Sequence, residues 1–321
     1  AARPVYFDSL CIAKGTVRMG ASVDHADDPL TAFRPRHDFF VGIDSDGCVF
    51  DSMEIKHKEC FCPQFINRFD LQAGAKYARE IWEFVNLYSS TRGVNRFKAV
   101  HRALKLAESH PELVRRGVNP PKLPELATWL GHETKLGNPQ LAQEVKHTGS
   151  AELRRVLEWS EEVNETVKRI VRNVPPFPGV REVLEHLKPR ADIVVVSQTP
   201  EEALRREWRE QAIDGFVGLI AGQERGTKAE HLAATAGAEE DGRYPAGHVL
   251  MIGDAPGDLA AARNVGALFF PILPGDEESS WKRFGNEGMA RFFDETYAGE
   301  YQATLLDEFE RVLPTDPPWR Q

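Results

Sequence analysis

Apolar runs of strand length alternate with helical patterns along much of the chain. The runs consist mainly of β-branched, aromatic and leucine residues with little polar alternation, which is typical of parallel strands buried on both faces. They occupy residues 39–43, 192–196, 216–220, 248–253 and 267–272. Helical spacing appears between them, as at Val180, Val183, Leu184 and Leu187. This alternation predicts an α/β fold with a doubly wound, Rossmann-like parallel sheet at its core.

The region between the first two runs has a different pattern. Apolar residues recur at helical spacing, for example at Phe97, Val100 and Leu104 and later at Val156 and Val163. The patterns therefore predict a helical insertion in an α/β core. The predicted parts are an N-terminal extension (1–37), the α/β core (38–53 and 176–290), the helical insertion (54–175) and a C-terminal helical extension (291–321). Residues 5–7 and 10–13 are candidates for edge strands in the N-terminal extension.

The first apolar run ends in Asp44-Ser45-Asp46-Gly47. A strand that delivers two carboxylates to its C-terminal end places them where ligands bind in open α/β sheets. Carboxylates this close repel each other and favour a cation beside them. Although Asp-x-Asp also occurs in solvated turns, this position indicates a Mg²⁺ site and phosphate chemistry.

Two further segments follow in the core. The second run ends at Ser197, whose hydroxyl could bind a phosphoryl oxygen or could instead cap the helix that starts near Pro200. Lys228 lies just inside a later predicted helix, where it could reach a phosphate and balance the carboxylates. A lone lysine on a helix is usually solvated, so Lys228 gains meaning only from its companions.

The run at 248–253 ends in Gly253-Asp254, and Asp258 follows at the start of an alanine-rich helix. Negative charge at a helix N-terminus is favoured by the helix dipole, which accounts for Asp258 on structural grounds alone. The same argument does not account for Asp254 at the end of a strand. Asp254 is therefore a candidate metal ligand.

The four segments, taken in this order, resemble the motifs of the haloacid dehalogenase superfamily of phosphotransferases. The resemblance implies that Asp44 is the nucleophile, which forms an aspartyl-phosphate, and that Asp46 is the general acid and base. It also implies that Asp44, the backbone carbonyl of Asp46 and Asp254 hold Mg²⁺.

By the same resemblance, Ser197 and Lys228 bind phosphoryl oxygens, and Asp258 orients the metal site or Lys228. Members of the superfamily that act as dehalogenases or phosphonoacetaldehyde hydrolases lack the second aspartate. The presence of Asp46 therefore favours the hydrolysis of a phosphate ester or the transfer of phosphate between hydroxyls.

The helical insertion resembles the cap domain of the branch that contains phosphoglycolate phosphatase and β-phosphoglucomutase. Such a cap closes over the active site and supplies specificity. Within it, the segment from Arg92 through Arg96 to Lys98 is similar to the loop with which β-phosphoglucomutase grips the distal phosphate of its substrate. These three cations are candidate substrate ligands, although a solvated basic helix start explains them as well.

The composition argues against some classes of partner and cellular location. The net charge of −9 comes without a basic stripe, so we expect no nucleic-acid partner, and no apolar run approaches membrane-spanning length. The cysteines at positions 11, 48, 60 and 62 form no recognisable disulfide or zinc pattern, so reduced thiols and a cytoplasmic location are expected.

The leading interpretation is a Mg²⁺-dependent phosphatase acting on a small phosphorylated metabolite. The alternatives are a sugar phosphomutase that passes the phosphate to a sugar hydroxyl, and a family member that only binds its ligand. The identity of the substrate and the oligomeric state are not predicted.

Overall fold

The computed structural model describes residues 28–237 and 243–320. Within them, five parallel strands form one sheet in the order β3-β2-β1-β4-β5. The strands are β1 (Phe39–Ile43), β2 (Ala191–Val196), β3 (Leu219–Ala221), β4 (Val249–Gly253) and β5 (Leu268–Pro271). In the register of the central strand, Phe39 lies opposite Ala191 of β2 and Phe40 lies opposite Val249 of β4. The predicted doubly wound parallel sheet is confirmed.

One predicted strand begins later than expected. The apolar run at 216–220 starts with Phe216, which ends a 3₁₀ turn over Asp214–Phe216. The strand itself begins only at Leu219. Because Gly218 donates its backbone N–H to the carbonyl of Ile193, the chain joins the sheet just before β3 rather than at Phe216.

Helices make up most of the remaining described chain. The α-helices are α1 (Pro29–Ala32), α2 (Ser52–Ile55), α3 (Cys62–Arg68), α4 (Ala75–Asn86), α5 (Arg96–Glu108), α6 (Pro111–Arg115), α7 (Pro124–His132), α8 (Asn138–Thr148), α9 (Ala151–Ile170), α10 (Val180–Leu187), α11 (Glu201–Glu210), α12 (Lys228–Ala236), α13 (Pro256–Asn264), α14 (Glu277–Arg283), α15 (Met289–Phe293) and α16 (Glu300–Val312). Shorter helical stretches are the 3₁₀ turns Gln72–Gly74, Gln223–Arg225 and Pro318–Arg320 and the π-helical stretches Lys56–Phe61 and Phe284–Gly288.

Both faces of the sheet are buried. Val41 and Ile43 of β1 point into a hydrophobic cluster that also contains residues of α10, α11 and α14. Phe40 of the same strand points into a second cluster with residues of α12, α13 and α16. Burial on both faces explains why the strand sequences are almost continuously apolar.

The helical insertion has a hydrophobic core of its own. Residues from the segment between Cys60 and Val171 form a separate cluster of buried side chains. At its centre, the ring of Trp82 lies 4.8 Å from Phe65 and 5.8 Å from Trp159, measured between ring centroids. Such aromatic contacts stabilise a core beyond the area that they bury.

The chain enters and leaves the insertion at one place. Phe50 pairs with Pro176 in an antiparallel bridge, and the N–H of Phe177 donates to the carbonyl of Val49 at 2.9 Å. The two crossings between the core and the insertion therefore lie side by side. We propose that the boundary between core and cap lies at this crossing.

The two ends of the chain differ in how much the structure describes. The candidate edge strands at 5–7 and 10–13 lie outside the described residues. At the other end, α16 packs against β5 and the chain then continues to Arg320. Among the helices that the structure describes, none is both long and apolar enough to cross a membrane.

A buried histidine makes folding sensitive to acid. His231 of α12 is fully buried, and burial, aided by the charge of Lys228, lowers its pKa to about 4. In the unfolded chain the pKa returns to its ordinary value of about 6.5. Between about pH 6.5 and pH 4 the unfolded state therefore binds a proton that the folded state does not. The free energy of unfolding decreases as the pH is lowered through this range.

We predict that the His231→Leu variant loses less stability than the parent protein on acidification. Between pH 7.5 and pH 5.0 the free energy of unfolding of the parent should fall by about 2 kcal/mol more than that of the variant. Urea unfolding in EDTA at both pH values measures this difference. Equal losses in the two proteins would show that His231 is not held neutral by the fold.

Candidate active site

Strand ends bring the predicted residues to one edge of the sheet. Asp44 follows β1 directly, and its N–H donates to the carbonyl of Ile252 in β4. Asp254 follows β4, and Ser197 follows β2, which flanks β1 on its other side. Because all these strands run parallel, their carboxyl ends meet, as the sequence pattern predicted.

A glycine permits the tight turn that follows β1. Gly47 has φ +76°, in the left-handed region, and its N–H donates to the carbonyl of Phe50. A Cβ atom at this position would lie 2.5 Å from a guanidinium nitrogen of Arg92 and 2.6 Å from Oδ2 of Asp254. Gly47 is therefore needed both for the backbone conformation and for the close approach of these side chains.

Three buried carboxylates form the centre of the site. Asp44, Asp254 and Asp258 each have a carboxylate oxygen within 4.8 Å of the others. Lys228 Nζ lies 2.7 Å from Oδ2 of Asp44 and 2.5 Å from Oδ1 of Asp258. Oδ1 of Asp44 and Oδ1 of Asp254 are buried and have no hydrogen-bond partner among the described residues. Two unpartnered carboxylate oxygens in one cluster are a donor set that suits a hard cation.

Burial makes these charges costly. Burial raises the pKa of Asp44 well above its ordinary value, with Lys228 opposing the effect and the other two aspartates reinforcing it. Burial likewise raises the pKa of Asp254 to about 6, against the opposing charge of Arg92. The aspartates in turn raise the pKa of Lys228, which overcomes the effect of its own burial. A bound cation would relieve the repulsion that raises the two carboxylate pKa values.

Asp258 shapes the turn after β4. Its Oδ2 accepts the backbone N–H groups of Asp254 at 3.1 Å and Ala255 at 3.0 Å, while its Oδ1 holds Lys228. The carboxylate folds back over the end of the strand, where a Cβ atom on Gly253 would lie 2.5 Å from it. Asp258 therefore positions both Asp254 and Lys228.

Asp46 lies in a separate group of polar contacts. Its Oδ1 accepts from Ser52 Oγ and from Lys56 Nζ, the latter at 2.5 Å, and its Oδ2 accepts from Thr199 Oγ1 at 2.5 Å. Burial acts to raise the pKa of Asp46, but the charge of Lys56 and the three hydrogen bonds outweigh it and lower the pKa to about 2. The structure thus holds Asp46 as a carboxylate in a fixed orientation.

Sequence reasoning missed three of these residues. Thr199 lies two positions after Ser197, in the loop that was already a candidate, so proximity was the available signal. Ser52 and Lys56 lie at the start of the helical insertion, where serines and lysines are ordinarily solvated. Nothing in the apolar pattern there indicates contact with Asp46.

Ser197 is buried beside this group. Its Oγ accepts the backbone N–H of Thr199 at 3.2 Å, which leaves the hydroxyl hydrogen free to donate. The alternative role as a helix cap is not observed, because Pro200 occupies the N-cap position of α11 and makes no side-chain capping bond.

The three predicted cap cations have different surroundings. Arg92 is buried, donates from Nε to Oδ2 of Asp254 at 2.7 Å and from another guanidinium nitrogen to the carbonyl of Leu87. Arg96 instead bonds Ser160 and Asn164 of α9 from within the insertion. Lys98 is exposed on α5. Of the three, the structure brings Arg92 to the carboxylate cluster.

The family is decided by a match over most of the chain. Residues 43–266 match the family model described as haloacid dehalogenase-like hydrolase. The chain belongs to this hydrolase family. The matched span includes every strand-end residue of the site, from Asp44 to Asp258. The predicted family resemblance is thereby confirmed.

Several solved structures match the chain at low sequence identity and with low TM-scores. A haloacid dehalogenase-like hydrolase from Streptococcus pneumoniae is 14% identical with a TM-score of 0.41, over 75% of this chain and 90% of that one. A putative phosphoglycolate phosphatase from Lactobacillus delbrueckii is 18% identical with a TM-score of 0.44, over 73% and 85%. A putative β-phosphoglucomutase from Thermotoga maritima is 15% identical with a TM-score of 0.34, also over 73% and 85%. No curated protein sequence matched the chain.

The packing of Asp258 over Gly253 gives a prediction with a matched control. The Gly253→Ala variant should lose about 1–3 kcal/mol of unfolding free energy, because its methyl group overlaps the Asp258 side chain. In Gly257→Ala, four residues later on α13, the methyl group meets open space, so that variant should be as stable as the parent or gain about 0.4–1 kcal/mol. Urea unfolding compares the three proteins, and equal stability of the two variants would contradict the assigned packing.

Proposed function

We propose that this hydrolase is a Mg²⁺-dependent phosphoric monoester hydrolase acting on a small phosphorylated metabolite. The observation that carries the proposal is the pair of buried, unpartnered oxygens, Oδ1 of Asp44 and Oδ1 of Asp254. They lie within a cluster of three carboxylates that share the ammonium of Lys228. An anionic site of this kind can accept an anionic substrate only with added positive charge.

The residues present fit a bound Mg²⁺ ion. Asp44, Asp254 and the backbone carbonyl of Asp46 would hold it, in keeping with the preference of Mg²⁺ for a few oxygen ligands. When bound, the ion neutralises charge that the nucleophile and the phosphate would otherwise bring together.

Asp44 is the proposed nucleophile. Its carboxylate has two oxygens, Oδ2 beside Lys228 and the unpartnered Oδ1, so one oxygen can hold the cation while the other forms the new bond to phosphorus. As that bond forms, the bond from phosphorus to the ester oxygen breaks, and the leaving alkoxide takes a proton from Asp46. Because Lys56 and the hydrogen bonds to Asp46 keep it a carboxylate in this structure, Asp46 must take up that proton when the substrate binds. Water then attacks phosphorus and gives a proton to Asp46, and cleavage of the Asp44–phosphorus bond releases inorganic phosphate.

Ser197 and Lys228 are the proposed ligands of the phosphoryl oxygens. The hydroxyl hydrogen of Ser197 is free to donate, and the ammonium of Lys228 lies against the nucleophile. Asp258 holds Lys228 in place at 2.5 Å. Fixed donors of this kind stabilise the charge that develops during phosphoryl transfer without having to reorganise.

The helical insertion is the proposed cap. Asp44 and Asp254 are only 5% and 1% exposed, and Arg92 and Lys56 of the insertion bond Asp254 and Asp46, so we expect the insertion to move when a substrate enters. Closure of the insertion would then exclude water and limit the substrate to a small molecule. Arg92 is the cap cation best placed to meet it, whereas a role for Arg96 and Lys98 as substrate ligands would need a rearrangement of α5.

A cytoplasmic location is part of the same proposal. Cys48, Cys60 and Cys62 are free and buried, which supports a reducing compartment. Burial raises the pKa of all three thiols, so none of them is poised as a nucleophile.

The proposal predicts Mg²⁺-dependent release of phosphate. Inorganic phosphate would be measured with a panel of phosphorylated metabolites and p-nitrophenyl phosphate, in Mg²⁺ or in EDTA. EDTA should abolish release, and Asp44→Asn should lower the rate at least about 1000-fold, because its amide cannot form the phosphoryl bond.

Two outcomes would contradict the proposal. Undiminished activity in Asp44→Asn would exclude the nucleophile, and the absence of release from every compound would exclude the phosphatase. In the second case, conversion of one sugar phosphate into its isomer would identify a phosphomutase, whereas binding without conversion would identify a ligand-binding protein.

A further inference from the structure

The first inference concerns a lysine that reaches the proposed acid–base residue from the cap side. Lys56 is buried, and its Nζ lies 2.5 Å from Oδ1 of Asp46 and 3.8 Å from Oε1 of Glu207. Glu207 belongs to α11 of the core and is itself buried. A buried ammonium between two carboxylates is held firmly, since leaving any of the three unpaired would be costly.

Lys56 lies near the start of the insertion. It is the first residue of the π-helical stretch Lys56–Phe61, which follows α2 directly. The end of the same stretch, Cys60 and Phe61, is buried in the hydrophobic core of the insertion. The lysine is therefore carried by the insertion, while its two carboxylate partners belong to the core.

We propose that Lys56 is a positioning residue that holds Asp46 in its productive orientation when the insertion closes over the core. Ser52 and Thr199 share this task through their hydrogen bonds to the two carboxylate oxygens. Because Lys56 moves with the insertion, closure would complete the acid–base site at the same time as it excludes water. This inference rests on the proposed hydrolase reaction.

Burst kinetics with p-nitrophenyl phosphate test the inference. The p-nitrophenolate group leaves without a proton, so transfer of phosphate to Asp44 does not need Asp46. Hydrolysis of the aspartyl-phosphate does need it, to take a proton from water. Lys56→Met should therefore keep the initial burst of p-nitrophenol but lower kcat about 100-fold or more, with KM not raised. Lys56→Arg should recover part of the loss.

Lys58→Met provides the matched control. Lys58 lies in the same π-helical stretch and pairs with Glu54, away from Asp46, so its replacement should leave the kinetics unchanged. If Lys56→Met lost the burst together with the steady state, or lost neither, the positioning role would be wrong while the hydrolase reaction stood. If the parent protein did not turn over this ester or any metabolite of the panel, the proposed function and this inference would both be wrong.

The second inference concerns the segment after α16, which we call the C-terminal strap (residues 313–319). At its start, Leu313 is buried in the cluster on one face of the sheet. At its end, Trp319 packs against the hydrophobic core of the insertion, with its ring 5.4 Å from Phe84 and 5.0 Å from His110. The strap therefore joins the two parts of the molecule at a place remote in sequence from the crossing near Phe50.

Polar contacts fasten the strap to the loop that carries Arg92. Ser90, which lies two residues before Arg92, donates its N–H to the carbonyl of Pro314 at 3.1 Å. Further along, Arg102 of α5 donates to the carbonyl of Thr315. Since Arg92 bonds Asp254, the strap supports the loop through which the insertion reaches the carboxylate cluster.

We infer that the C-terminal strap restrains the opening of the insertion, and that Trp319 must leave its site against Phe84 and His110 when the active site opens. Replacing Trp319 by alanine should raise the population of the open state, because the substitution removes contacts that stabilise only the closed state. The strap would in this way set how often the buried carboxylates become accessible.

Hydrogen exchange tests this inference without any substrate. In Trp319→Ala, amides in residues 44–52 and 87–95 should exchange about tenfold faster than in the parent protein, while amides in the central strands keep their protection. Trp319→Phe, which retains an aromatic ring, should lie close to the parent. Unchanged exchange in Trp319→Ala, or an equal increase throughout the protein, would contradict the restraint.

Discussion

The active site depends on the burial of three aspartates around one lysine. Asp44, Asp254 and Asp258 lie close together at the edge of the sheet, with Lys228 shared between two of them. Buried like charges are unfavourable unless they are paired, and here two carboxylate oxygens have no partner among the described residues. The sheet holds Asp44 and Asp254 together because they follow adjacent parallel strands, while Lys228 and Asp258 come from helices α12 and α13. In the proposed function, the same imbalance that costs stability is what a cation and a phosphate would relieve.

In the proposed function, the rest of the structure controls access to this cluster. The insertion covers it and contributes two cations of different effect: Arg92 bonds Asp254, while Lys56 bonds Asp46. Each ion pair joins a side chain of the insertion to one of the core, so both depend on the closed arrangement. The C-terminal strap adds a third connection through Trp319, which uses apolar packing rather than charge. In this account, the insertion orients the acid–base residue and excludes water from the carboxylates in the same closing movement.

The sequence predicted the central residues well because parallel strands leave a clear apolar signal and end at a common edge. Asp44, Asp254 and Ser197 could be placed by that rule alone. It could not place Lys56, whose contact with Asp46 depends on how the insertion sits on the core, or Thr199, whose contact depends on the conformation of the loop after β2. Arg96 illustrates a different limit. Its position in a basic loop predicted a substrate ligand, whereas in this structure its guanidinium bonds Ser160 and Asn164 of α9. Contacts of this kind arise from tertiary packing, which no local pattern encodes.

Titration with Mg²⁺ tests the central claim most directly, since it needs no substrate. Calorimetry and thermal unfolding would be measured for the parent protein and for Asp254→Asn, which removes the negative charge of one of the two carboxylates with a free oxygen. We expect the parent to bind one Mg²⁺ ion and to gain about 2.7 kcal/mol at a concentration 100 times the Kd, seen as a rise of a few degrees in Tm. The variant should gain much less. If the parent bound no Mg²⁺, or the variant bound it equally well, the carboxylate cluster would not be the cation site.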